Sequence, residues 1–331
     1  MKKVLVFVLC LTLLVTALGC AAPKGNQQTA EAAPVAKDVR ICVIPTVVHS
    51  WFSDVYAGAQ QQAAFLSEQL GREIKVEYYA PETGELNEQM ELIEQVAATN
   101  PDGILICPLD QEALAPIIAE LQGRGIAIGF INQVPGALYT NVVGVGNDFK
   151  DQGETAAAAL VEAIGGSGKV AVMHGVTVST HNERYDAIIN YLKQYPDIEI
   201  VEAGYGEDNI EKSQQLAAAT LAANPDLVGF TCVDASAPIG IANAVKEAGR
   251  TGKVSVVGMD DTQEILECVA QGTIVASSST MPELQGSMGI IMLWEKINGM
   301  ETGKFVDTGV YVVSPNNVDE IIERKKNNNV G

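Results

Sequence analysis

Polar and aromatic side chains follow the apolar, strand-like segments of this sequence, at the points where those segments end. The main members of this set are His49, Trp51, Phe52, Asn132 and Gln133 in the first half of the chain and Asn182, Asp234 and Asp260 in the second. Carboxylates and amides exchange hydrogen bonds with hydroxyl groups, and an indole face covers the C–H surface of a sugar ring. These residue types therefore predict a binding site for a small, neutral ligand rich in hydroxyl groups.

Several of these residues have structural alternatives that the pattern leaves open. Asp234 and Asp260 both precede helical patterns, so either could be a helix N-cap, and Asp110 is expected to be one. Trp51 could fill the core instead of lining a ligand site. The chain has 3 histidines, and none belongs to a metal-binding motif, so we expect no metal ion.

Sequence motifs for catalysis or nucleotide binding are missing. No G-x-G-x-x-G follows the first strand-like segment, and "GGSGKV" (165–170) lacks the flanking residues of a phosphate loop. No G-x-S-x-G elbow occurs, and the histidines form no evident nucleophile–base–carboxylate arrangement. We therefore expect a chain that is not an enzyme and that uses no cofactor.

Short β-branched segments alternate with longer amphipathic segments from residue 39 onward. The strand-like segments are apolar on both faces, as in buried parallel sheets, and the alternation predicts a doubly wound α/β fold. They cover residues 39–45, 74–80, 103–108, 126–132, 141–146, 169–175, 198–204, 227–232, 254–260 and 273–279.

The two halves of the chain repeat one pattern. Each contains a helix, the residues N-P-D, a strand, an Asp-bearing turn, another helix and a further strand. The repeat predicts two domains, each with its own sheet, and the late helix 282–299 is expected to return to the first one. The chain would then cross between the domains near 146–148, 278–282 and 303–308. Ligands bind at the carboxyl ends of parallel strands, so a cleft between the two domains should hold the strand-end residues.

The N-terminus resembles a bacterial export signal. Lys2 and Lys3 precede an apolar segment from Val4 to Leu18, which is shorter than a membrane-spanning helix requires. Cys20 directly follows Gly19, as in the lipobox of bacterial lipoproteins, and the alternative is an ordinary signal peptide with a coincidental cysteine. A lipid at Cys20 would anchor the protein to the cell membrane on its extracytoplasmic side.

These observations divide the chain into four parts. Residues 21–37 are rich in Ala, Gln and Pro and have no apolar periodicity, which is typical of a flexible linker. The predicted parts are a signal peptide (1–19), a lipidated tether (20–37), an N-terminal lobe (38–146 plus 282–305) and a C-terminal lobe (147–281 plus 306–331).

The overall composition excludes one class of partner. The formal net charge is −20 and no Lys/Arg cluster interrupts the acidic sequence, so nucleic acid is not expected as a partner. The cysteines of the body, Cys42, Cys107, Cys232 and Cys268, form no C-x-x-C pair. Cys42 and Cys107 could face each other on neighbouring strands, and the alternative is that all four are buried free thiols.

The sequence resembles the ribose/galactose-type solute-binding proteins of sugar ABC importers over roughly residues 38–310. The segments that carry the resemblance are "HSWF" (49–52), "TNPDGILICP" (99–108), "IAIGFIN" (126–132), "NER" (182–184), "CVDASA" (232–237), "VVGMDD" (256–261) and "STMP" (279–282). The resemblance implies two doubly wound parallel-sheet domains of the type I periplasmic-binding-protein fold, joined by a three-stranded hinge.

The resemblance also implies roles for individual residues. Trp51 and Phe52 would form an aromatic wall, with His49 in place of an asparagine. Asn132, Gln133 and Asn182 would replace one aspartate and two arginines of ribose-type proteins, Asp234 would follow Val233 in place of an asparagine, and Thr280 would replace a glutamine. Asp260 alone keeps the family residue. Because both arginines are replaced by amides, we expect a ligand other than ribose.

The expected function is that of an extracytoplasmic receptor that captures a monosaccharide or small polyol by hinge closure. It would act as a monomer and deliver the ligand to a membrane permease driven by paired ATPases. Two alternatives remain open at this point: a sugar or quorum-signal sensing receptor without transport, and a secreted α/β enzyme.

Overall fold

The computed structural model describes residues 37–328. The predicted signal peptide, Cys20 and nearly all of the tether lie outside the described residues. Within the described part, no helix is long and apolar enough to cross a bilayer.

The first sheet contains six parallel strands. They are β1 (Val39–Ile44), β2 (Ile74–Tyr78), β3 (Gly103–Ile106), β4 (Ala127–Ile131), β5 (Val143–Gly146) and β11 (Phe305–Asp307). The helices packed on this sheet are α1 (Ser50–Leu70), α2 (Leu86–Ala98), α3 (Gln111–Gly123) and α9 (Pro282–Ile297). Strands β3, β4 and β5 are buried along their whole length, because helices cover both faces of the sheet. This sheet and its helices are called the first lobe.

The second sheet repeats this architecture. Its strands are β6 (Gly168–His174), β7 (Ile198–Tyr205), β8 (Leu227–Cys232), β9 (Ser255–Met259), β10 (Ala276–Ser279) and the antiparallel β12 (Tyr311–Val313). The helices of this part are α4 (Phe149–Ile164), α5 (Ser179–Leu192), α6 (Ile210–Ala223), α7 (Ala237–Glu247), α8 (Gln263–Ala270) and α10 (Val318–Asn328). This sheet and its helices are called the second lobe.

The order of strands is the same in both sheets. The first sheet runs β11-β5-β4-β3-β1-β2 and the second runs β12-β10-β9-β8-β6-β7, so β1 to β5 correspond to β6 to β10 and β11 corresponds to β12. The predicted fold class, two doubly wound α/β domains built on one repeated pattern, is therefore confirmed. All ten predicted strands form, and the sequence pattern missed only the two short strands β11 and β12.

Each lobe contains one helix that directly follows a strand of the other lobe. Helix α4 follows β5 of the first sheet but packs on β8, β9 and β10, whereas α9 follows β10 and packs on α1, β4 and β5. The α1–α9 contact is close because glycines lie at it. A Cβ at Gly58 would lie 1.9 Å from the Glu283 carbonyl oxygen, and one at Gly286 would lie 1.8 Å from that of Val55.

Three connections pass between the lobes, after β5, β10 and β11. The Thr308 hydroxyl lies 3.0 Å from the Gly146 carbonyl oxygen and 3.2 Å from that of Thr280, so one side chain touches all three connections. The Gln285 amide reaches the Asn147 side chain at 3.3 Å. These buried hydrogen bonds tie the hinge segments together at one place.

The cysteines of the described residues are free thiols. Cys42, Cys107 and Cys232 are buried and Cys268 is partly buried, so the alternative of unpaired thiols describes the structure. Burial raises the pKa of Cys107 to about 12 and that of Cys42 to about 11, which keeps both thiols protonated at neutral pH.

Lys325 on α10 forms a buried ion cluster with carboxylates from both lobes. Its ammonium lies 2.8 Å from Asp54 on α1, 2.8 Å from Glu283 on α9 and 3.2 Å from Asp261, which follows β9. The Tyr311 hydroxyl, on β12, also donates a hydrogen bond to Asp261. Lys325 is 4% exposed, so these attractions are little screened by solvent. The C-terminal helix therefore links the lobes electrostatically.

Replacing Lys325 by Met removes the shared cation from three carboxylates with little change in side-chain length. The free energy of unfolding should fall by about 3 kcal/mol near pH 8, as is typical when one partner of a buried ion pair is removed. Burial raises the pKa of Asp54 to about 6 although Lys325 opposes the shift. The loss should therefore be smaller near pH 5, since the uncompensated carboxyl can bind a proton there. Urea unfolding at both pH values measures this difference.

The matched control is Lys326→Met, one position later on the exposed side of the same helix. We expect that variant to change the free energy of unfolding by less than about 0.5 kcal/mol. Equal losses in the two variants would contradict a specific role for the buried cluster.

Candidate functional site

Side chains from both lobes meet where the carboxyl ends of the two sheets face each other. The clearest contact joins His49, after β1, to Asp208, after β7, with 3.8 Å between imidazole Nε2 and a carboxylate oxygen. His49 also interacts electrostatically with Asp260, after β9. His49 and Asp260, two of the strand-end residues singled out by the sequence, thus lie at a shared interlobe cleft, as expected for parallel sheets.

The first-lobe side of the cleft is the start of helix α1. His49 is the N-cap, and its Nδ1 accepts a hydrogen bond from the Trp51 backbone N–H at 3.1 Å. Trp51 is 5% exposed, and its indole N–H donates to the Thr280 hydroxyl at 3.3 Å. Its ring packs edge-on against Phe52 with 5.1 Å between centroids. The aromatic pair therefore belongs to the core beneath the cleft, and His49 is the outermost of these side chains.

Two predicted residues after β4 have different surroundings. Asn132 adopts a left-handed backbone conformation (φ +58°), its N–H donates to Gln285, and its side-chain carbonyl oxygen is buried without a partner. The side chain of Gln133 donates to the Pro108 carbonyl oxygen at 2.6 Å and accepts from Gln111 at 2.8 Å. Gln133 therefore braces neighbouring loops of the first lobe, whereas Asn132 has an oxygen available to a ligand.

A buried hydrogen-bonded chain runs from Arg184 to Asp260 in the second lobe. The guanidinium Nε donates to the Gln152 side-chain oxygen at 2.6 Å, and the Gln152 amide nitrogen donates to the Asp260 carboxylate at 3.1 Å. A further guanidinium nitrogen donates to the Val233 carbonyl oxygen at 3.2 Å, and the Phe149 ring lies 4.9 Å away. These hydrogen bonds fix the Arg184 guanidinium and the Asp260 carboxylate at the base of the cleft.

Burial shifts the pKa values of the two charged groups in this hydrogen-bonded network in opposite directions. It raises the pKa of Asp260, with the Arg184 guanidinium opposing the shift, and it lowers the pKa of Arg184, with Asp260 and Asp234 opposing that shift. The backbone of Asp260 is left-handed, with φ +69°. Asp260 is not a helix cap, since the N-cap of α8 is Thr262.

Asp234 has two roles in the structure, one for each carboxylate oxygen. One oxygen accepts hydrogen bonds from Ser236 N–H at 3.0 Å and Ala237 N–H at 2.7 Å, at the start of α7. The other oxygen is buried and has no hydrogen-bond partner. Burial raises the pKa of Asp234 to about 7, and the adjacent Asp208 carboxylate adds to the shift. Asp234 is not the N-cap of α7, which is Ser236, but one of its oxygens binds the N–H groups at the start of that helix and the other is free of hydrogen bonds.

The structure does not bring Asn182 into this cluster. Asn182 is exposed on α5, whereas Arg184, two positions later, is buried beside Asp234 and Asp260. His181, on the same face of α5, is also buried, and burial together with Arg184 lowers its pKa to about 4.

Three residues of the cluster were not predicted from the sequence: Gln152, Arg184 and Asp208. Arg184 belongs to the "NER" segment, and the signal that could have identified it is its helical spacing of three from His181. Asp110, in contrast, is an exposed N-cap of α3, as predicted.

A stack of three rings borders the cluster in the second lobe. His174 lies between Tyr185 and Tyr205, with ring centroids 4.5 Å and 4.7 Å away. Tyr205 is 52% exposed, so the stack extends from the buried end of β6 to the surface.

A separate open depression of about 350 Å³ lies beside the hinge and is lined by Asp148, Asp151, Glu154, Tyr191 and Asp307, among others. Its side chains are not those of the interlobe cluster. We assign no ligand to it, because an acidic depression open to solvent offers little beyond its charge.

The unusual pKa of Asp234 predicts a pH dependence of stability. A carboxyl whose pKa is raised on folding stabilises the folded state below its unfolded value of 3.8, and this contribution is lost as the pH rises through about 7. Replacing Asp234 by Asn preserves an oxygen that can bind the N–H groups at the start of α7 but removes the titration. The free energy of unfolding should therefore fall less between about pH 5 and about pH 8 in Asp234→Asn than in the unchanged protein.

Urea unfolding across this range provides the measurement, and Asp110→Asn is the matched control. Asp110 caps α3 through the same kind of contact, to Glu112 N–H and Ala113 N–H, but is exposed. We expect the control to retain the pH dependence of the unchanged protein. Identical pH profiles for Asp234→Asn and the unchanged protein would refute the assigned titration.

Comparison with known proteins places this arrangement among receptors of one family. Residues 41–301 match the family model of the periplasmic binding protein domain. The D-ribose/D-allose-binding protein of Pseudomonas aeruginosa is 26% identical over 253 residues, which cover 75% of this chain and 78% of that protein. The xylitol-binding protein of Mycolicibacterium smegmatis is 26% identical over 252 residues, which cover 72% and 68% of the two chains.

Solved structures give the same result. The periplasmic solute-binding protein of an ABC transporter from Actinobacillus succinogenes, solved with bound D-allose, is 25% identical with a TM-score of 0.77. The match covers 85% of this chain and 99% of that one. With two lobes of the same topology, a cleft between their strand ends and a family match over most of its length, this chain belongs to the periplasmic binding protein family.

Proposed function

We propose that this protein is an extracytoplasmic receptor that binds a monosaccharide or small polyol between its lobes and delivers it to an ABC permease. The observation that carries the proposal is the set of buried polar atoms without partners around the interlobe cleft. These atoms are the Asn132 side-chain oxygen and one oxygen each of Asp208 and Asp234. Buried polar atoms are normally paired, so partners supplied by a hydroxylated ligand account for this group.

The named relatives support this ligand class. They bind D-ribose and D-allose in one case and xylitol in another, and a similar solved structure holds D-allose. These ligands are small polyols or sugars whose hydroxyl groups both donate and accept hydrogen bonds. The departures of this chain from ribose-type residues, above all at His49 and Gln133, favour a ligand other than ribose.

The mechanism that fits this geometry is closure of the two lobes around the ligand. In the described structure His49 and Asp208 approach each other across the cleft, and Lys325 holds α1 and α9 against the second lobe. A ligand that contacts both lobes stabilises the closed form over the open one, because it has more contacts there. The closed shape would be the form that a permease, powered by paired ATPases, recognises.

The proposal includes a lipid anchor at Cys20 and a flexible tether up to residue 37. The sequence before the first lobe supports it, because a segment that resembles an export signal ends directly before that cysteine. An anchored receptor stays close to its permease, which raises its effective concentration there.

A thermal-shift screen of monosaccharides and polyols tests the ligand class. A ligand present at about 100 times its Kd adds about 2.7 kcal/mol to folded-state stability, which raises the melting temperature by several degrees. Asp260→Asn should lose most of this shift, because it removes the carboxylate charge held at the base of the cleft. Recovery of the ligand unchanged after incubation separates a receptor from a secreted enzyme.

Asp110→Asn is again the control, and its ligand-induced shift should equal that of the unchanged protein. If no sugar or polyol raises the melting temperature, the proposed ligand class fails. If the shift occurs but deleting the gene leaves uptake of that ligand unchanged, the protein is a sensing receptor without transport.

The anchor is tested by Cys20→Ala in a bacterial host that processes lipoproteins. The unchanged protein should incorporate radiolabelled palmitate and sediment with membranes, whereas the variant should remain unlabelled. Labelling that persists in the variant, or its absence from the unchanged protein, would contradict an anchor at this residue.

A further inference from the structure

Two carboxylates of the second lobe, those of Asp208 and Asp234, lie against each other at the cleft. The side chain of Asp208 interacts directly with that of Asp234 and raises its pKa. Each of the two residues has a buried carboxylate oxygen without a hydrogen-bond partner, and Asp234 is only 2% exposed. Like charges this close are stable only if a proton or a cation lies between them.

The neighbouring side chains supply too little positive charge to balance these carboxylates. The carboxylates of Asp260, Asp234 and Asp208 act electrostatically on the buried guanidinium of Arg184, and the exposed Glu183 does so more weakly. Its Nε and one further nitrogen already donate to Gln152 and to the Val233 carbonyl oxygen. One cation among three carboxylates leaves the cluster with an excess of two negative charges when all three are ionised.

The two histidines beside the cluster do not correct this imbalance. His49 Nδ1 accepts a hydrogen bond from the Trp51 N–H, which requires the neutral ring with its hydrogen on Nε2, the atom that faces Asp208. His181 is neutral at pH 7, because burial lowers its pKa to about 4. Among residues 37–328, no group of three His, Cys, Asp or Glu side chains is arranged to hold a metal ion. The balancing positive charge is therefore either a proton on Asp234, whose pKa is raised to about 7, or a cation that comes with the ligand.

The loop that carries Asp208 is held in a strained conformation. Glu207 and Asp208 both have left-handed backbones, with φ of 55° and 52°. The loop is fixed at its start, where Gly206 N–H donates to the His174 carbonyl oxygen at 2.8 Å, and at its end, where Asn209 caps α6. Two consecutive non-glycine residues in this region cost folding energy, and such strain is concentrated at functional sites. The fold thus holds Asp208 beside Asp234 at a cost in folding energy.

We infer that the ligand carries a protonated amine, as in an amino-deoxy sugar or an amino polyol, and that its ammonium group binds between Asp208 and Asp234. An ammonium group offers three N–H donors and one positive charge, so it can satisfy both unpartnered oxygens and remove the repulsion. A hydroxyl group offers one hydrogen and no charge. A carboxylate-bearing sugar would add a further negative charge and is excluded. This inference rests on the proposed function. It replaces the uncharged ligand expected from the sequence with a cationic one.

The experiment compares matched ligands on the purified full chain near pH 7. Glucosamine, galactosamine, mannosamine and 1-amino-1-deoxysorbitol are tested against glucose, galactose, mannose and sorbitol, and against the N-acetylated forms of the three amino sugars. Calorimetric titration should show at least one amine binding about tenfold or more tighter than its neutral parent and its N-acetylated form. Asp208→Asn and Asp234→Asn should each reduce the affinity for that amine about tenfold or more, and either variant suffices if the other fails to fold.

Glu207→Gln is the control, because Glu207 lies in the same strained loop but is exposed and pairs with Lys212 at 2.6 Å. It should bind the amine as tightly as the unchanged protein. Tighter binding of a neutral parent than of its amine would overturn the inference and leave the proposed function intact. Retention of amine affinity in both aspartate variants would overturn it as well, and absence of binding by every amine and every neutral parent would defeat both proposals.

Discussion

Burial of the Arg184 guanidinium is the constraint on which the arrangement of the cleft depends. A guanidinium cannot be buried without compensating acceptors, and here they are the Gln152 side chain, the Val233 carbonyl oxygen and, through Gln152, the Asp260 carboxylate. Gln152 lies on α4, just after the first connection between the lobes, and it also hydrogen-bonds Ser278 on β10, just before the second. The same network that holds the charged residues therefore also fixes two of the hinge segments, so the site and the hinge are one structural unit.

Exchange of helices ties each lobe to the chain segments that connect it to the other lobe. Helix α4 completes the second lobe and α9 completes the first, so every connection begins or ends in a well-packed element. Gly58 and Gly286 allow α9 to pack closely against α1 within the first lobe. The proposed hinge closure would then take place in the connecting segments. The Lys325 cluster adds a contact between the lobes that lies outside these connections.

The sequence was a good guide to the fold and an incomplete guide to the site, for physical reasons. Buried parallel strands have long β-branched segments, so all ten were found, whereas the three-residue strands β11 and β12 carry no periodicity. Asn182 was assigned from a local motif, but two residues along a helix rotate a side chain by about 200°, and the buried position belongs to Arg184. Asp208 was missed because its importance arises from contacts with Asp234 and His49, which are distant in sequence.

The distribution of charge between the lobes implies an order of events during binding. Asp208, Asp234, Asp260 and Arg184 all belong to the second lobe, whereas the first lobe contributes mainly the neutral groups of His49 and Asn132. The carboxylate repulsion would therefore exist in the second lobe before closure, and the cationic ligand that we infer would relieve it by binding to that lobe alone. Closure would then add the contacts of His49 and Asn132, and it would exclude water from the charges, which would strengthen their attraction to the ligand. An uncharged ligand would gain only the contacts with His49 and Asn132. The excess of carboxylates in the second lobe would therefore both select a cationic ligand and favour closure around it.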